Sequence, residues 1–245
     1  MCGRFIVKTP PEELARRFRA RMDAEAVSAW KPRYNISPGQ GILCAFDDRD
    51  RKCRSLDYFH WGLVPKWADD PDIGWRLTNA RAETAAEKPA FRDALRYRRC
   101  LVPADGFYEW KVEGGVKQPH FIRLRDAGAF ALAGLWEHWS HPGGSEILSC
   151  ALLTTRPNKL MATIHDRMPV ILPADAYDTW LDSAVTDAVA VRPLLRPFPA
   201  EAMEAWPVGP EVGNTRNDSP SLLDRHDYPR ATDFFDKLFP SGPAD

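Results

Sequence analysis

This chain lacks the short motifs that announce the commoner enzymes. It has no Gly-x-Ser-x-Gly elbow for a serine nucleophile and no Gly-x-x-x-x-Gly-Lys loop for a nucleotide phosphate. Gly-x-Gly-x-x-Gly and His-Glu-x-x-His are missing too. Cysteine is scarce and scattered, at 2, 44, 53, 100 and 150. The absence of a Cys-x-x-Cys pair argues against structural zinc, and the odd count argues against a disulfide framework. Cys44, Cys100 and Cys150 sit in apolar runs and read as small core residues, while Cys53, between Lys52 and Arg54, reads as a passive loop position. No apolar run is long enough to span a bilayer, and the residues after Phe5 turn charged too soon for a secretory segment. Neither charge is in surplus: 33 basic against 34 acidic side chains leave a net charge of −1, so any hold on nucleic acid must come from a local patch. The expectation is a monomeric cytoplasmic protein, nucleoid-associated if bacterial, with no metal, no cofactor and no membrane partner.

What is present starts at the second residue. With Met1 removed, Cys2 would carry a free α-amine and a thiol two carbons apart, a pair no internal cysteine offers. Such a 1,2-aminothiol traps aldehydes: the amine condenses to an imine, and the thiol closes on the imine carbon to give a thiazolidine. The same thiol is also an N-terminal nucleophile for acyl groups. A free α-amine titrates near ~7.7–8.0 and a thiol near ~8.5, so both nucleophilic forms are partly available at neutral pH.

Hydrophobic periodicity gives the coarse fold. Thr9-Pro10-Pro11-Glu12 reads as a capped helix start, and Leu14, Phe18 and Met22 carry an amphipathic helix to about Met22. Strands are expected at residues 41–46, 56–61, 120–125, 130–136 and 147–155. Residues 99–110 read as a strand that turns at Pro103-Ala104-Asp105-Gly106. Helical character is expected at 85–97, 158–164 and 175–181. Strands at short spacing with helices inserted, and no strict βαβ alternation, indicate an α+β fold on a mostly antiparallel sheet or barrel. One domain is expected over 1–223, with an extension at 224–245 whose Pro- and Gly-rich end forms a loose tail.

Polar residues packed into otherwise structural runs mark the chemistry. They are Trp61-Gly62-Leu63-Val64-Pro65-Lys66-Trp67, Asn79-Ala80-Arg81-Ala82-Glu83-Thr84, the run from Arg99 through Asp105-Gly106-Phe107-Tyr108-Glu109-Trp110, and Ile164-His165-Asp166-Arg167-Met168-Pro169. Together with Met1-Cys2-Gly3-Arg4-Phe5, and in this order, they closely resemble the signature segments of the SOS response-associated peptidase family. The resemblance implies a single α+β domain with a β-barrel-like core and peripheral helices. It also implies a positively charged groove for single-stranded DNA and a Cys2, exposed by loss of Met1, that bonds covalently to abasic sites. Cys2, Asn79, Glu109 and His165 look like the family's active-site set.

Each of these residues has a role to fill. Cys2 is the nucleophile. His165 suits the proton transfers that open the closed sugar, since imidazole titrates near neutrality. Glu109, flanked by Tyr108 and Trp110, is expected to be partly desolvated and therefore a usable proton shuttle, although strand alternation also allows an outward-facing side chain. Asn79 can hold the amine or a sugar oxygen without titrating. Arg4, Arg81 and Arg167 are candidate phosphate clamps, Trp67 a base-stacking residue, and Asn35, Pro38 and Gly39 one wall of the groove. Three readings follow. The leading one is a protein that crosslinks to abasic single-stranded DNA and shields the lesion, with self-removal of Met1 and a minor lyase activity as side reactions. The alternatives are an N-terminal-nucleophile thiol peptidase acting on proteins, and a non-covalent single-strand binder in which Cys2 is idle.

Overall fold

Alternating apolar positions in long β-rich runs build two sheets. The computed structural model describes residues 2–48, 50–126, 128–141 and 143–228. In chain order the strands are β1 (Phe5–Val7), β2 (Arg33–Ile36), β3 (Gly41–Asp48), β4 (Cys53–Trp61), β5 (Asn79–Arg81), β6 (Arg99–Ala104), β7 (Gly106–Glu113), β8 (Val116–Leu124), β9 (Phe130–Ser140), β10 (Glu146–Thr155), β11 (Met168–Pro169), β12 (Ile171–Leu172) and β13 (Met203–Pro207). The short peripheral helices are α1 (Pro11–Phe18), α2 (Ala24–Ala29), α3 (Arg92–Tyr97), α4 (Tyr177–Leu181) and α5 (Ala188–Val191).

The larger sheet closes on itself. β10 runs parallel to β4 and antiparallel to β9, so the path β10-β4-β3-β6-β9 returns to β10 as a five-stranded barrel. So few strands leave room only for side chains. Wholly buried Cys44, Cys100 and Cys150 meet there; burial first, then its two neighbours, push the Cys44 thiol well up. Gly134 of β9 lies opposite Cys100, where a Cβ would come within 2.6 Å of Sγ. Apart from the parallel pairs of β10 with β4 and β5, the named strands pair antiparallel. The α+β class and the barrel core expected from the sequence are therefore observed.

The second sheet has the order β13-β8-β7-β1-β2. Its two faces serve two cores. Phe5, Val7 and Phe107 pack toward the barrel, with Phe5 edge-on to Trp61 of β4 at 5.2 Å. Ile6, Tyr108 and Phe121 face a smaller cluster with Val208, Val212 and Leu222. A period of two therefore sets Glu109 on the Phe107 side, toward the barrel. Buried Asp105 makes the corner between β6 and β7. It accepts the backbone N–H groups of Lys8 (2.6 Å) and Thr9 (3.0 Å) and the Thr9 hydroxyl (2.5 Å).

Three expected helices differ, and of residues 158–164 only Met161–Thr163 is helical, as a 3-10 turn. Thr9 does not cap α1, because its hydroxyl is given to Asp105. α1 ends at Phe18, where Arg19 turns left-handed (φ 50), and does not continue to Met22. Residues 85–97 yield only α3, since Pro89 has no N–H to donate back to Ala85. Residues 224–228 run back along β13, with Val208 bridged to Arg225 and the Tyr228 hydroxyl donating to Val208 O at 2.9 Å. The expected tail, 229–245, lies outside the described residues. No helix among the described residues is long and apolar enough to cross a membrane.

Gly106 begins β7 opposite Ile6, and a Cβ there would stand 2.2 Å from Phe121 Cζ and 2.9 Å from Ile122 O. Gly106→Ala is expected to lower stability by about 1–3 kcal/mol through overpacking. Urea unfolding should show it as a lower midpoint with an unchanged slope.

Candidate active site

Pairing of β1 with β7 delivers the amino-terminal residues to the site. The register Phe5↔Phe107 and Ile6↔Gly106 continues past the strand, because Tyr108 N–H donates to Arg4 O at 2.9 Å, and it leads the chain back toward Glu109. Cys2 is wholly buried. Burial, and after it the Glu109 carboxylate, pushes its thiol far above the ordinary thiol range. Glu109 itself is 1% exposed. Burial raises its carboxyl, with His165 acting in the opposite direction. The inward setting excludes the outward-facing alternative.

His165 follows the 3-10 turn Met161–Thr163, and its backbone N–H is tied to Met161 O at 2.8 Å. Nε2 stands 3.9 Å from Glu109 Oε2. Nδ1 accepts the Arg167 backbone N–H at 3.0 Å, with Asp166 Oδ1 also 3.0 Å away. In the neutral imidazole that acceptor role leaves the proton on Nε2, facing Glu109.

Asn79 opens β5, in parallel register with Leu152 of β10. Its amide donates to Thr78 Oγ1 at 3.3 Å, while Oδ1 is buried with no hydrogen-bond partner among the described residues. A buried carbonyl oxygen left this way costs about 1–3 kcal/mol, and it offers an acceptor to an incoming N–H or O–H. Trp61 joins this segment to β1. Its indole N–H donates to Thr78 O at 2.9 Å, its ring packs on Phe5, and its carbonyl accepts the Gly39 N–H at 2.8 Å.

The surrounding residues divide into committed and open ones. Arg4 does not stand free as a phosphate clamp. It donates to Asn35 Oδ1 (2.9 Å), Val212 O (2.7 Å) and Gly213 O (3.2 Å), and lies over the Trp110 ring. Asn35 is wholly buried, not a groove wall, because its amide ties the carbonyls of Val212, Asn214 and Asn217. The two residues anchor a distant loop. Arg167 is bidentate to Glu83 at 2.8 Å twice and also donates to Thr154 O at 2.7 Å. Arg81 is exposed, with no side-chain hydrogen bond or ion pair among the described residues. Trp67 is 58% exposed beside Pro89 and Ala90. Pro38 and Gly39 are half-buried. Gly39 (φ +84) lies under the ring of Trp75, where a Cβ would come within 2.2 Å of Cη2. Sequence reasoning missed Trp75, which is 60% exposed, and Glu83. The signals were there: a tryptophan inside Asp70-Pro71-Asp72-Ile73-Gly74-Trp75-Arg76, and an acid two residues after Arg81. No group of three or more His, Cys, Asp or Glu among the described residues is placed to hold a metal ion.

Residues 1–215 match the family model of the SOS response associated peptidase (SRAP). The chain is 41% identical over 227 residues to the abasic site processing protein YoqW of Bacillus subtilis, covering 92% of this chain and all of that protein. It is 30% identical over 262 residues to the abasic site processing protein HMCES of Xenopus tropicalis, covering 91% of this chain and 78% of that one. A crystal structure of a protein from Bacteroides thetaiotaomicron superposes with a TM-score of 0.84 at 27% identity, covering 92% of this chain and all of the other. With the family model matched across most of its length, this chain belongs to the SOS response associated peptidase family.

Proposed function

We propose that this protein processes abasic sites: it binds single-stranded DNA and, once Met1 is removed, forms a thiazolidine crosslink between Cys2 and the lesion's aldehyde. The observation that carries this reading is a wholly buried Cys2 whose thiol feels the desolvated Glu109 carboxyl, with the His165 imidazole 3.9 Å from that carboxyl. The names of the relatives supply the lesion.

The chemistry balances without an oxidant. The Cys2 α-amine adds to the aldehyde carbon, and loss of one water gives the imine. The sulfur then adds to the same carbon while its proton passes to nitrogen. His165, with its Nε2 proton, donates to the departing oxygen during ring opening and dehydration. Glu109, protonated in its dry setting, gives its proton to the imine nitrogen and takes the thiol proton as sulfur adds, so the carboxyl ends as it began. The Oδ1 of Asn79, without a hydrogen-bond partner among the described residues, receives the amine N–H or a sugar hydroxyl. Arg81 meets phosphate, and the exposed rings of Trp67 and Trp75 offer stacking surfaces. A thiol pushed up in this way suits ring closure at a bound imine better than a thiol peptidase, whose nucleophile needs a lowered value.

Intact-mass spectrometry tests the central claim. The mature protein is expected without Met1, and incubation with an abasic single strand is expected to add the mass of the strand less one water. Cys2→Ala should abolish the heat-stable adduct, and a stable adduct formed by that variant would rule out the thiazolidine. Arg81→Ala should weaken binding uniformly across sequences and reduce the salt slope of log K by about 1. Glu109 gives a pH test. Its carboxyl titrates higher in the folded than in the unfolded chain, so the native state holds the extra proton, and stability falls as pH rises from the ordinary carboxyl range through the raised value. Glu109→Gln escapes that loss and should gain on the wild type as pH rises above the ordinary carboxyl range in urea unfolding. Parallel curves for the two proteins would show that the carboxyl is not raised.

A further inference from the structure

We propose that Glu83 is a positioning residue, which acts through Arg167 to hold His165 in the tautomer that carries its proton on Nε2. Residues 79–84 were singled out for Asn79 and Arg81, and the proposed chemistry gives Glu83 no part. Yet its carboxylate takes both arms of the Arg167 guanidinium, 2.8 Å from each of Nη1 and Nη2. That parallel, charge-assisted geometry fixes direction as well as distance. Arg167 is 17% exposed, and its Nη2 also donates to Thr154 O at 2.7 Å, a carbonyl that already accepts the Ala82 N–H at 2.9 Å. The guanidinium thus joins three segments: the turn after β5, the end of β10 and the start of β11.

The consequence falls on His165, two residues earlier. The Arg167 backbone N–H donates to His165 Nδ1 at 3.0 Å, so a peptide unit held by the Glu83 clamp decides which ring nitrogen is the acceptor. Among the described residues, charged groups that face the ring include Glu109, 3.9 Å from Nε2, and Asp166, 3.0 Å from Nδ1. Asp166 is 88% exposed and favours a proton on Nδ1. The Arg167 N–H opposes it and favours the neutral ring with its proton on Nε2, toward Glu109. Release of Arg167 from Glu83 removes the constraint on that N–H and lets Asp166 turn the proton to the wrong nitrogen. The clamp also ties the Asn79 segment to the His165 segment, because Glu83 lies four residues after Asn79.

The assignment separates Arg167 from Arg81. A phosphate clamp raises Kd when it is lost. A positioning residue slows the chemical step and leaves Kd alone. The inference rests on the proposed crosslinking for its kinetic arm, but its spectroscopic arm needs no activity. Nitrogen-15 shifts of the His165 ring are expected to report an Nε2-protonated imidazole in the wild type. In Glu83→Ala they should report a loss of that preference, and Glu83→Gln, which keeps an acceptor for one guanidinium arm, should fall between. The single-turnover crosslinking rate of Glu83→Ala should drop at least about tenfold, against roughly 10²–10⁴-fold for losing a general acid outright. Its Kd for undamaged single strands should not rise, and its melting temperature identifies a variant that has simply come apart. An unchanged His165 tautomer in folded Glu83→Ala, or a rate loss explained entirely by a higher Kd, overturns the proposal. A wild type that never crosslinks removes the abasic-site function, while the ring shifts still decide the role of Glu83.

Discussion

A strand of only three residues holds the amino-terminal end of this chain in place. β1 is stitched on one side to β7 and on the other to β2, and Phe5 is pressed edge-on against Trp61 of the barrel. A free chain end would ordinarily fray, because ordering each residue costs about 1–2 kcal/mol of backbone entropy. Here the ladder bonds and the burial of Phe5, Ile6 and Val7 offset that cost. Cys2, three residues ahead of the strand, is therefore as deeply buried as the barrel core. Alternation along β7 does the complementary work, because the parity that buries Phe107 also turns Glu109 inward.

One physical cause, exclusion of water, sets the state of both ionisable groups at this end of the chain. It raises the Cys2 thiol and the Glu109 carboxyl together, so each favours its protonated form, and neither is held as a ready-made ion. For the proposed crosslink, which passes through water loss and then sulfur attack, this has an advantage. Protons are present where they are needed and move over short distances within one dry site. A pre-ionised thiolate would be open to oxidation and to stray electrophiles. The buried Oδ1 of Asn79, which has no hydrogen-bond partner among the described residues, fits the same logic: in the proposed reaction it is an acceptor kept dry until a donor arrives.

How much of this the sequence discloses depends on the range of the interaction. The barrel strands, the buried Trp61 and the core cysteines follow from local apolar patterning, and they appear where that patterning puts them. Glu109 was legible as far as its neighbours Tyr108 and Trp110 implied desolvation. Arg4 and Asn35 were not, because what absorbs them are the carbonyls of residues 212–217, some 180 to 210 positions further along the chain. The same holds for Thr9, whose capping role is pre-empted by Asp105, 96 positions away. The pairing of Arg167 with Glu83 spans 84 positions and is equally invisible to local pattern. A polar residue in a motif shows that something is needed there. Only the fold shows whether the partner is substrate or the protein itself.

That distinction bears on how a protein of net charge −1 would hold a polyanion. Many of its arginines are already paired: Arg33 with Asp218, Arg54 with Asp47 and Asp178, Arg98 with Glu137, Arg123 with Glu204, Arg167 with Glu83. With these cations committed among the described residues, fewer are left to release counterions from a strand, so a non-covalent hold would be modest and its salt dependence shallow. A crosslinking protein can accept that. Weak, sequence-tolerant contacts let it sample undamaged strand and leave, since no aldehyde is met. In the proposed reaction the bond to Cys2 replaces affinity altogether at a lesion. Discrimination then lies in the carbonyl carbon itself, and a strongly basic groove would only slow the search.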